Sequence, residues 1–128
     1  MSRQAIESKN APAPIGPYSQ AVRAGDFLFV SGQVPLDPTT GKLVDGGIAP
    51  ATEQAIRNLA AVLEAGGASL EQVVKVTVYL RNLDDFAAMN EAYARHFGTG
   101  KPARACVECP RLPKNSLVEI DAVAYLGK

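Results

Sequence analysis

Two segments near the C-terminal end of the chain each place one charged side chain within apolar, β-prone sequence. Residues 102–108 carry Arg104 among small and apolar neighbours, and residues 117–121 carry Glu119 between a valine and an isoleucine. Both segments are predicted to be strands, and a charge on an apolar strand costs free energy unless it is paired or binds a ligand. The pattern therefore indicates either a cross-strand ion pair or a small site for an anionic ligand, with an acid beside it that handles a proton.

Composition limits the classes of protein that the chain can belong to. Its 128 residues are enough for one domain, which we expect to span residues 1–128. Thirteen basic and thirteen acidic residues give a formal net charge of zero, and the absence of a polybasic run argues against a nucleic-acid partner. No apolar stretch is long enough to cross a bilayer, and residues 1–10 lack the apolar core of a secretory signal. We therefore expect a soluble, cytoplasmic protein with no membrane partner.

Cys106 and Cys109 have the Cys-x-x-Cys spacing that is found in metal sites and thioredoxin-like redox sites. On a strand, however, positions an odd number of residues apart face opposite sides, so the two sulfur atoms are expected to point away from each other. The sequence has no second cysteine pair, and its one histidine, His96, falls on a predicted helix. We therefore predict no metal site.

Hydrophobic periodicity predicts two helices among several strands. Strands are predicted at residues 21–24, 27–33, 73–80, 103–109 and 117–125, and helices at residues 50–65 and from Asp84 or Asp85 to Phe97. Either aspartate is suited to cap the second helix, whose apolar stripe contains Phe86, Met89, Asn90, Tyr93 and Phe97. The predicted order is β-β-β-α-β-α-β-β, which is an α+β fold.

Two helices can cover only one face of a sheet of this width. The other face is expected to carry Thr77, Tyr79, Glu119 and Val123 or their alternates, and such a mixed face is typical of a surface that packs against another subunit. If the last two strands form an antiparallel hairpin, Glu119 lies opposite residues 106–108, within reach of Arg104. A slip of one residue in that register would turn Glu119 to the other face.

Five short motifs have the order and spacing of one known family. They are Gly-Pro-Tyr-Ser-Gln-Ala at 16–21, Val-Ser-Gly-Gln at 30–33, Met-Asn-Glu at 89–91, Pro-Ala-Arg at 102–104 and Val-Glu-Ile at 118–120. Together they resemble the Rid/YjgF family of imine and enamine deaminases over residues 11–125. The most similar subfamily is the RidA type, the 2-iminobutanoate/2-iminopropanoate deaminases.

The resemblance implies a chorismate-mutase-like fold and a homotrimer with ligand sites in the clefts between subunits. It implies hydrolysis of reactive 2-imino acids, or of their 2-aminoacrylate-type enamine tautomers, to 2-keto acids and ammonia without a cofactor, as a form of metabolite damage control. The family's essential arginine falls on Arg104 and its water-handling glutamate on Glu119. Other pocket positions of the family fall on Tyr18, Ser31, Gly32, Asn90 and Cys106. The chain departs from its relatives at Ala105 and Cys109, and we expect both departures to affect packing only.

The residue types suit this chemistry, because the planar guanidinium of arginine donates two parallel hydrogen bonds to a carboxylate while a glutamate deprotonates water. Simpler roles also fit the same residues. In these roles Arg104 pairs with Glu119 or Asp121, Ser31-Gly32 ends a strand, Tyr18 anchors the proline-rich loop at residues 11–20, and Asn90 satisfies polar groups of that loop. Cys106 lines a pocket without acting as a nucleophile, Phe86 and Tyr93 belong to the core, and His96 faces solvent. The alternative functions are a non-catalytic ligand-binding or holdase-like stress protein and, less favoured by the charge balance, a ribonuclease or translation inhibitor.

Overall fold

The computed structural model describes residues 3–127, in which six strands form one sheet and two helices pack on one face of it. The strands are β1 Gln4–Ile6, β2 Ala21–Ala24, β3 Phe27–Gln33, β4 Val73–Leu80, β5 Ala103–Glu108 and β6 Val118–Tyr125, and the helices are α1 Ile48–Ala65 and α2 Phe86–Phe97. The predicted α+β order is confirmed. The sequence pattern had given no range for the first strand, which is the short edge strand β1.

The sheet order is β1-β2-β3-β6-β4-β5, and only β4 and β5 run parallel. The predicted hairpin between the last two strands is therefore wrong, because β6 pairs with β3 and β4 and does not touch β5 in the sheet. The physical reason is the connection through α2, since parallel neighbours require a crossover that is usually a helix. That crossover places β5 at the edge of the sheet.

The helix-covered face of the sheet holds the core. On β6 the alternating residues Val118, Ile120, Ala122 and Ala124 are buried, and they face the buried side of α1, which includes Ile56. Helix α1 begins two residues before the predicted start. Its face at helical spacing, Thr52, Ile56, Leu59 and Leu63, is buried, and Ala60 on the same face is partly exposed. The core is thus the layer between the sheet and the two helices.

The start of α2 differs from its prediction. A 3-10 turn at Leu83–Asp85 precedes the helix, and the side chain of Asn82 caps this turn by accepting a hydrogen bond of 2.9 Å from the backbone N–H of Asp84. The Asp85 side chain makes no capping bond to α2. Asp85 thus occupies the predicted N-cap position of α2 without the predicted capping bond, and the Asn82 amide caps the preceding 3-10 turn.

The other face of the sheet carries no helix, and we call it the open face. It holds Thr77, Tyr79, Glu119 and Val123, as predicted, and also an exposed aromatic group made of Phe27, Phe29 and Tyr125. The ring centroids of Phe27 and Tyr125 are 5.3 Å apart. None of the helices in residues 3–127 has the length and apolar character that crossing a bilayer requires.

Candidate active site

The carboxylate of Glu119 lies directly against Gly32 of β3. A Cβ atom at position 32 would overlap one of the Glu119 carboxylate oxygens, so any larger residue there would displace the end of this side chain. The two residues border a cavity of about 340 Å³, which we call the Glu119 pocket. Its lining combines apolar and polar residues and includes Pro12, Ile15, Tyr18, Gln20, Ser31, Leu36 and Pro113.

Hydrogen bonds to two side chains hold the proline-rich loop that forms one wall of this pocket. Gln20 is 2% exposed; its Oε1 accepts from the Ser8 N–H at 2.6 Å and its Nε2 donates to the Pro12 carbonyl at 2.9 Å. The Ser31 hydroxyl donates to the Ser19 carbonyl at 2.6 Å. Gln20 was not predicted as a site residue, although it belongs to the motif at 16–21, and Ser31 is more than a strand end.

Tyr18 combines the two roles between which the sequence left a choice. Its hydroxyl accepts a hydrogen bond of 3.3 Å from the Ile15 N–H, which makes it an anchor within the loop. Its ring is 48% exposed and lines the Glu119 pocket. An aromatic ring with one satisfied polar end at the mouth of a cavity is suited to contact a bound ligand.

The pKa of Glu119 is raised above its ordinary value, first by burial of the half-buried carboxylate and second by the negative charge of Asp121. Asp121 lies two residues along β6 on the same face, and its Oδ2 accepts a hydrogen bond of 3.1 Å from the Tyr79 hydroxyl. Glu119 therefore holds a proton to higher pH than an exposed glutamate does, which suits a group that both takes and returns protons.

Arg104 lies in a second cavity of about 280 Å³, which we call the Arg104 pocket. Its Nη1 donates to Asn90 Oδ1 at 2.6 Å, and its guanidinium carbon is 4.8 Å from the ring centroid of Tyr93 and 5.6 Å from that of Phe86. The cross-strand ion pair considered from the sequence does not form, because the ion pairs within residues 3–127 both use Glu53. One guanidinium donor is committed to an amide, and no carboxylate of these residues neutralises the charge.

The helix α2 supplies the surroundings of this arginine. Asn90 bonds to Arg104, and the prediction that it satisfies the proline-rich loop is wrong. Phe86 is 40% exposed, so it is not a core residue, and its ring contributes a cation–π contact. Tyr93 is only 8% exposed, and its hydroxyl has no hydrogen-bond partner within residues 3–127. The helical stripe had predicted Phe86 and Tyr93 to be core residues, and it gave no indication that both rings contact Arg104.

Cys106 is half-buried on the same face of β5 as Arg104, as predicted, since these residues pair with the buried residues Val78 and Val76 of β4. Burial raises the pKa of its thiol and outweighs the opposing effect of Arg104, so the thiol is a poor nucleophile. Both cysteines are free, and residues 3–127 contain no cluster of three or more side chains that suits a metal ion.

His96 does not face solvent freely, and that prediction is wrong. Its Nε2 lies 2.8 Å from Glu53 Oε1, which links α2 to α1 and leaves the imidazole partly exposed. The His96 imidazole, which the sequence had predicted to face solvent, therefore bonds the two helices together. His96 lines neither of the two pockets.

Arg104 and Glu119 lie on opposite faces of the same sheet. Arg104 contacts α2 on the helix-covered face, whereas Glu119 pairs in register with Tyr79 on the open face. Strand β4 also separates their strands. Within one chain the two predicted catalytic residues are therefore in different pockets, as are their predicted companions: Tyr18, Ser31 and Gly32 line the Glu119 pocket, and Asn90 lines the Arg104 pocket.

The chain matches the family model described as Endoribonuclease L-PSP over residues 8–126. It is 57% identical to a RutC family protein of Pyrococcus horikoshii, over 96% of this chain and 98% of that protein. It is 46% identical to a mouse protein named 2-iminobutanoate/2-iminopropanoate deaminase, over 98% of this chain and 93% of that one. A solved structure of a putative endoribonuclease from Thermotoga maritima, 50% identical, superposes with a TM-score of 0.95 and covers 98% of each chain.

The family model spans nearly the whole described chain, and the relatives cover it from end to end at identities well above those that show only a shared fold. The five motifs on which the resemblance depends lie on the loop, strands and helix that form the two pockets. The chain therefore belongs to the Endoribonuclease L-PSP family, which is the Rid/YjgF family that its sequence motifs resemble.

Proposed function

We propose that the protein is a 2-imino acid deaminase that hydrolyses 2-iminobutanoate, 2-iminopropanoate and their enamine tautomers to 2-keto acids and ammonia. The observation that carries the proposal is the pair of charged groups at the two pockets. Arg104 presents guanidinium donors with no carboxylate partner in residues 3–127, and Glu119 is a half-buried acid with a raised pKa. The names of the mammalian relatives support the same reaction.

Each pocket supplies only half of what the reaction needs, so we propose that neighbouring copies of the chain complete the site. Because Arg104 and Glu119 occupy different surfaces, the contact that joins them is head-to-tail, and a head-to-tail contact that closes on itself forms a ring. The open face, with its exposed aromatic group of Phe27, Phe29 and Tyr125, offers the apolar area for such an association. A homotrimer with three equivalent sites is the assembly that we propose.

The two side chains divide the chemistry between them. Arg104 binds the substrate carboxylate through two parallel hydrogen bonds and fixes the plane of the adjacent C=N group, which makes the attack of water effectively intramolecular. Glu119 of a neighbouring copy deprotonates the water that adds to this carbon. A general base of this kind supplies roughly a hundred- to ten-thousand-fold in rate.

We propose that the reaction takes place in the cytoplasm, a reducing compartment that is compatible with the free thiols of Cys106 and Cys109. No step of this reaction requires a cofactor, because hydrolysis consumes only water.

Cleavage of RNA, which the name of the family model suggests, is less compatible with the site. The formal net charge is zero, and the chain's one histidine, the residue most often used in general acid–base catalysis, is engaged with Glu53 away from both pockets. A non-catalytic holdase would use the exposed aromatic group of the open face in place of the pockets.

The test is the release of ammonia from freshly generated 2-iminopropanoate or 2-iminobutanoate, with the protein at far below stoichiometric amounts. We expect accelerated release with the wild-type protein and its loss in Arg104→Ala, while circular dichroism and the oligomeric state stay unchanged. A wild-type protein that fails to accelerate the reaction, or an Arg104→Ala variant with full activity, would overturn the proposal. If the deaminase test fails in one of these ways and the protein slows the aggregation of an unfolded client only at equimolar amounts, the holdase function is favoured.

A further inference from the structure

We propose that Asp121 and Tyr79 are positioning residues for Glu119, and that together they make Glu119 retain the proton which the departing nitrogen needs. The inference rests on the proposed function, because it assigns the source of the proton in that reaction. It concerns a polar group on the open face that the five family motifs do not include, since Tyr79 lies on β4 outside every motif and Asp121 follows the last one.

The sheet register brings the three side chains together. Tyr79 is the β4 partner of Glu119, and Thr77 is the partner of Asp121, so all four side chains point to the open face. Same-face positions on neighbouring strands, both direct and diagonal, are within reach of a long aromatic side chain. The Tyr79 hydroxyl donates to Oδ2 of its diagonal neighbour Asp121 at 3.1 Å. It does not bond to Glu119, the residue directly opposite.

The hydrogen bond distinguishes the two acids. Tyr79 donates to Asp121 and not to Glu119, and the charge of Asp121 is one of the two causes that raise the pKa of Glu119. Glu119 is then next to a fixed negative charge, and it packs on Gly32, which offers no side-chain donor. Two neighbouring carboxyl groups in different surroundings take different roles in proton transfer, and Glu119 is the one whose pKa is raised.

The groups that face Glu119 come from three directions. Tyr79 faces it from β4, Asp121 from its own strand, and Tyr18 from the loop across the Glu119 pocket, whereas Ser31 and Gly32 of β3 bring no charge. Within residues 3–127 no cation offsets the effects of burial and of Asp121 on the titration of this carboxyl. In the proposed assembly, Arg104 of a neighbouring copy joins this set and acts in the opposite direction.

Hydrolysis needs one group that first accepts and then returns a proton. Water adds its oxygen to the imine carbon, the C=N bond becomes single, and the released proton passes to the Glu119 carboxylate. Protonated Glu119 then donates this proton to the nitrogen, which gives a neutral amino alcohol. In a second transfer Glu119 takes the hydroxyl proton and passes it to the nitrogen, the C–N bond breaks, and ammonia leaves as the C–OH group becomes the keto C=O. An acid of ordinary strength is a poor donor near neutral pH, and the anionic Asp121 corrects this by strengthening the hold of Glu119 on the proton.

The experiment follows the Glu119 side chain directly. The carboxyl carbon of Glu119 is titrated by ¹³C NMR in the wild-type assembly, in Asp121→Asn, in Tyr79→Phe, and in Asp45→Asn, an exposed acid outside both pockets that serves as the control. We expect the Glu119 midpoint to fall in Asp121→Asn and to stay unchanged in the control. In Tyr79→Phe, where Asp121 loses its hydrogen-bond donor, we expect a smaller fall of the Glu119 midpoint than in Asp121→Asn.

The rate measurements supply a second readout that a purely structural role would not change. In Asp121→Asn the acidic limb of the kcat/KM profile is expected to move to lower pH by the same amount as the Glu119 midpoint. An unchanged Glu119 midpoint, or an unchanged acidic limb in an active Asp121→Asn protein, would overturn this inference and leave the proposed deaminase standing. A wild-type protein without deaminase activity would instead overturn the proposed function, whatever the titration shows.

Discussion

Gly32 lies beneath Glu119 so closely that the carboxylate occupies the space where any other residue would place its Cβ atom. The β3 segment that contains Gly32 thereby sets the position of an acid on β6. Glycine at this point permits a close approach between two strands' atoms that a larger residue prevents. The relationship explains why a motif on one strand and a motif on another are needed for the same pocket.

Replacement of Gly32 by alanine is therefore expected to displace the Glu119 carboxylate from the pocket. We expect kcat for the deamination to fall by roughly a hundredfold, since a misplaced general base loses most of its effect. The control is Gly100→Ala, because a Cβ at Gly100 meets nothing within 4 Å. Full activity in Gly32→Ala, measured as ammonia release under saturating substrate, would show that the position of Glu119 is not important.

Asn90 offers a way to neutralise Arg104 without removing it. In Asn90→Asp a carboxylate replaces the amide that accepts from Arg104 Nη1 at 2.6 Å, and this internal anion competes with the carboxylate of the substrate. We expect KM to rise by roughly tenfold or more, as the loss of a charge-assisted bond implies, with a smaller change in kcat. The matched control is Ala88→Asp, which adds the same charge at an exposed position of α2. Equal KM values for the two variants would count against a carboxylate-binding role of Arg104.

The fold was predictable where one local pattern decided the structure. The alternating valines of β4 and the stripe that includes Met89 and Tyr93 each identified an element of the right type. The pairing of β5 was not predictable from local pattern, because a strand's neighbours depend on the direction in which the preceding helix returns the chain. The hairpin between β5 and β6 was the natural expectation from their closeness in sequence, and it was wrong.

The site was predictable in its residues and not in its geometry. The motifs identified Arg104 and Glu119 as site residues. The sequence of neither strand predicts that Arg104 faces the helices and Glu119 faces the open side of the sheet. Phe86 was assigned to the core because a helical stripe cannot distinguish an aromatic side chain that packs on apolar atoms from one that packs on a guanidinium. Gln20 was missed because its importance lies in three hydrogen bonds to backbone groups of Ser8 and Pro12, which no local pattern indicates.

A mixing experiment examines whether Arg104 and Glu119 act across a contact between copies. Arg104→Ala and Glu119→Gln are each expected to be inactive, and mixed trimers formed by refolding an equal mixture are expected to contain one intact site each. Random assembly in a head-to-tail ring then recovers about a quarter of the wild-type activity. Mixing without refolding is the control for subunit exchange. No recovery from trimers shown by mass spectrometry to be mixed would mean that the two residues do not share a site between copies.

Glu119 is also expected to lower the stability of the protein at neutral pH. Its pKa is raised on folding, so the folded state binds the proton more tightly than the unfolded state, and stability is lost as the pH rises from the ordinary value of a glutamate through the raised one. Glu119→Gln removes a half-buried charge next to Asp121, and we expect the melting temperature at pH 7 to increase by a few degrees. At a pH below the ordinary pKa of glutamate the two proteins should have the same melting temperature, because both side chains are then neutral.

Glu64→Gln, at an exposed position of α1, is the control, and its melting temperature should show no such pH-dependent gain. A Glu119→Gln variant that melts below the wild type at pH 7 would mean that the carboxylate is stabilised by a partner in the assembled protein, and Arg104 of a neighbouring copy would then be the residue to replace next.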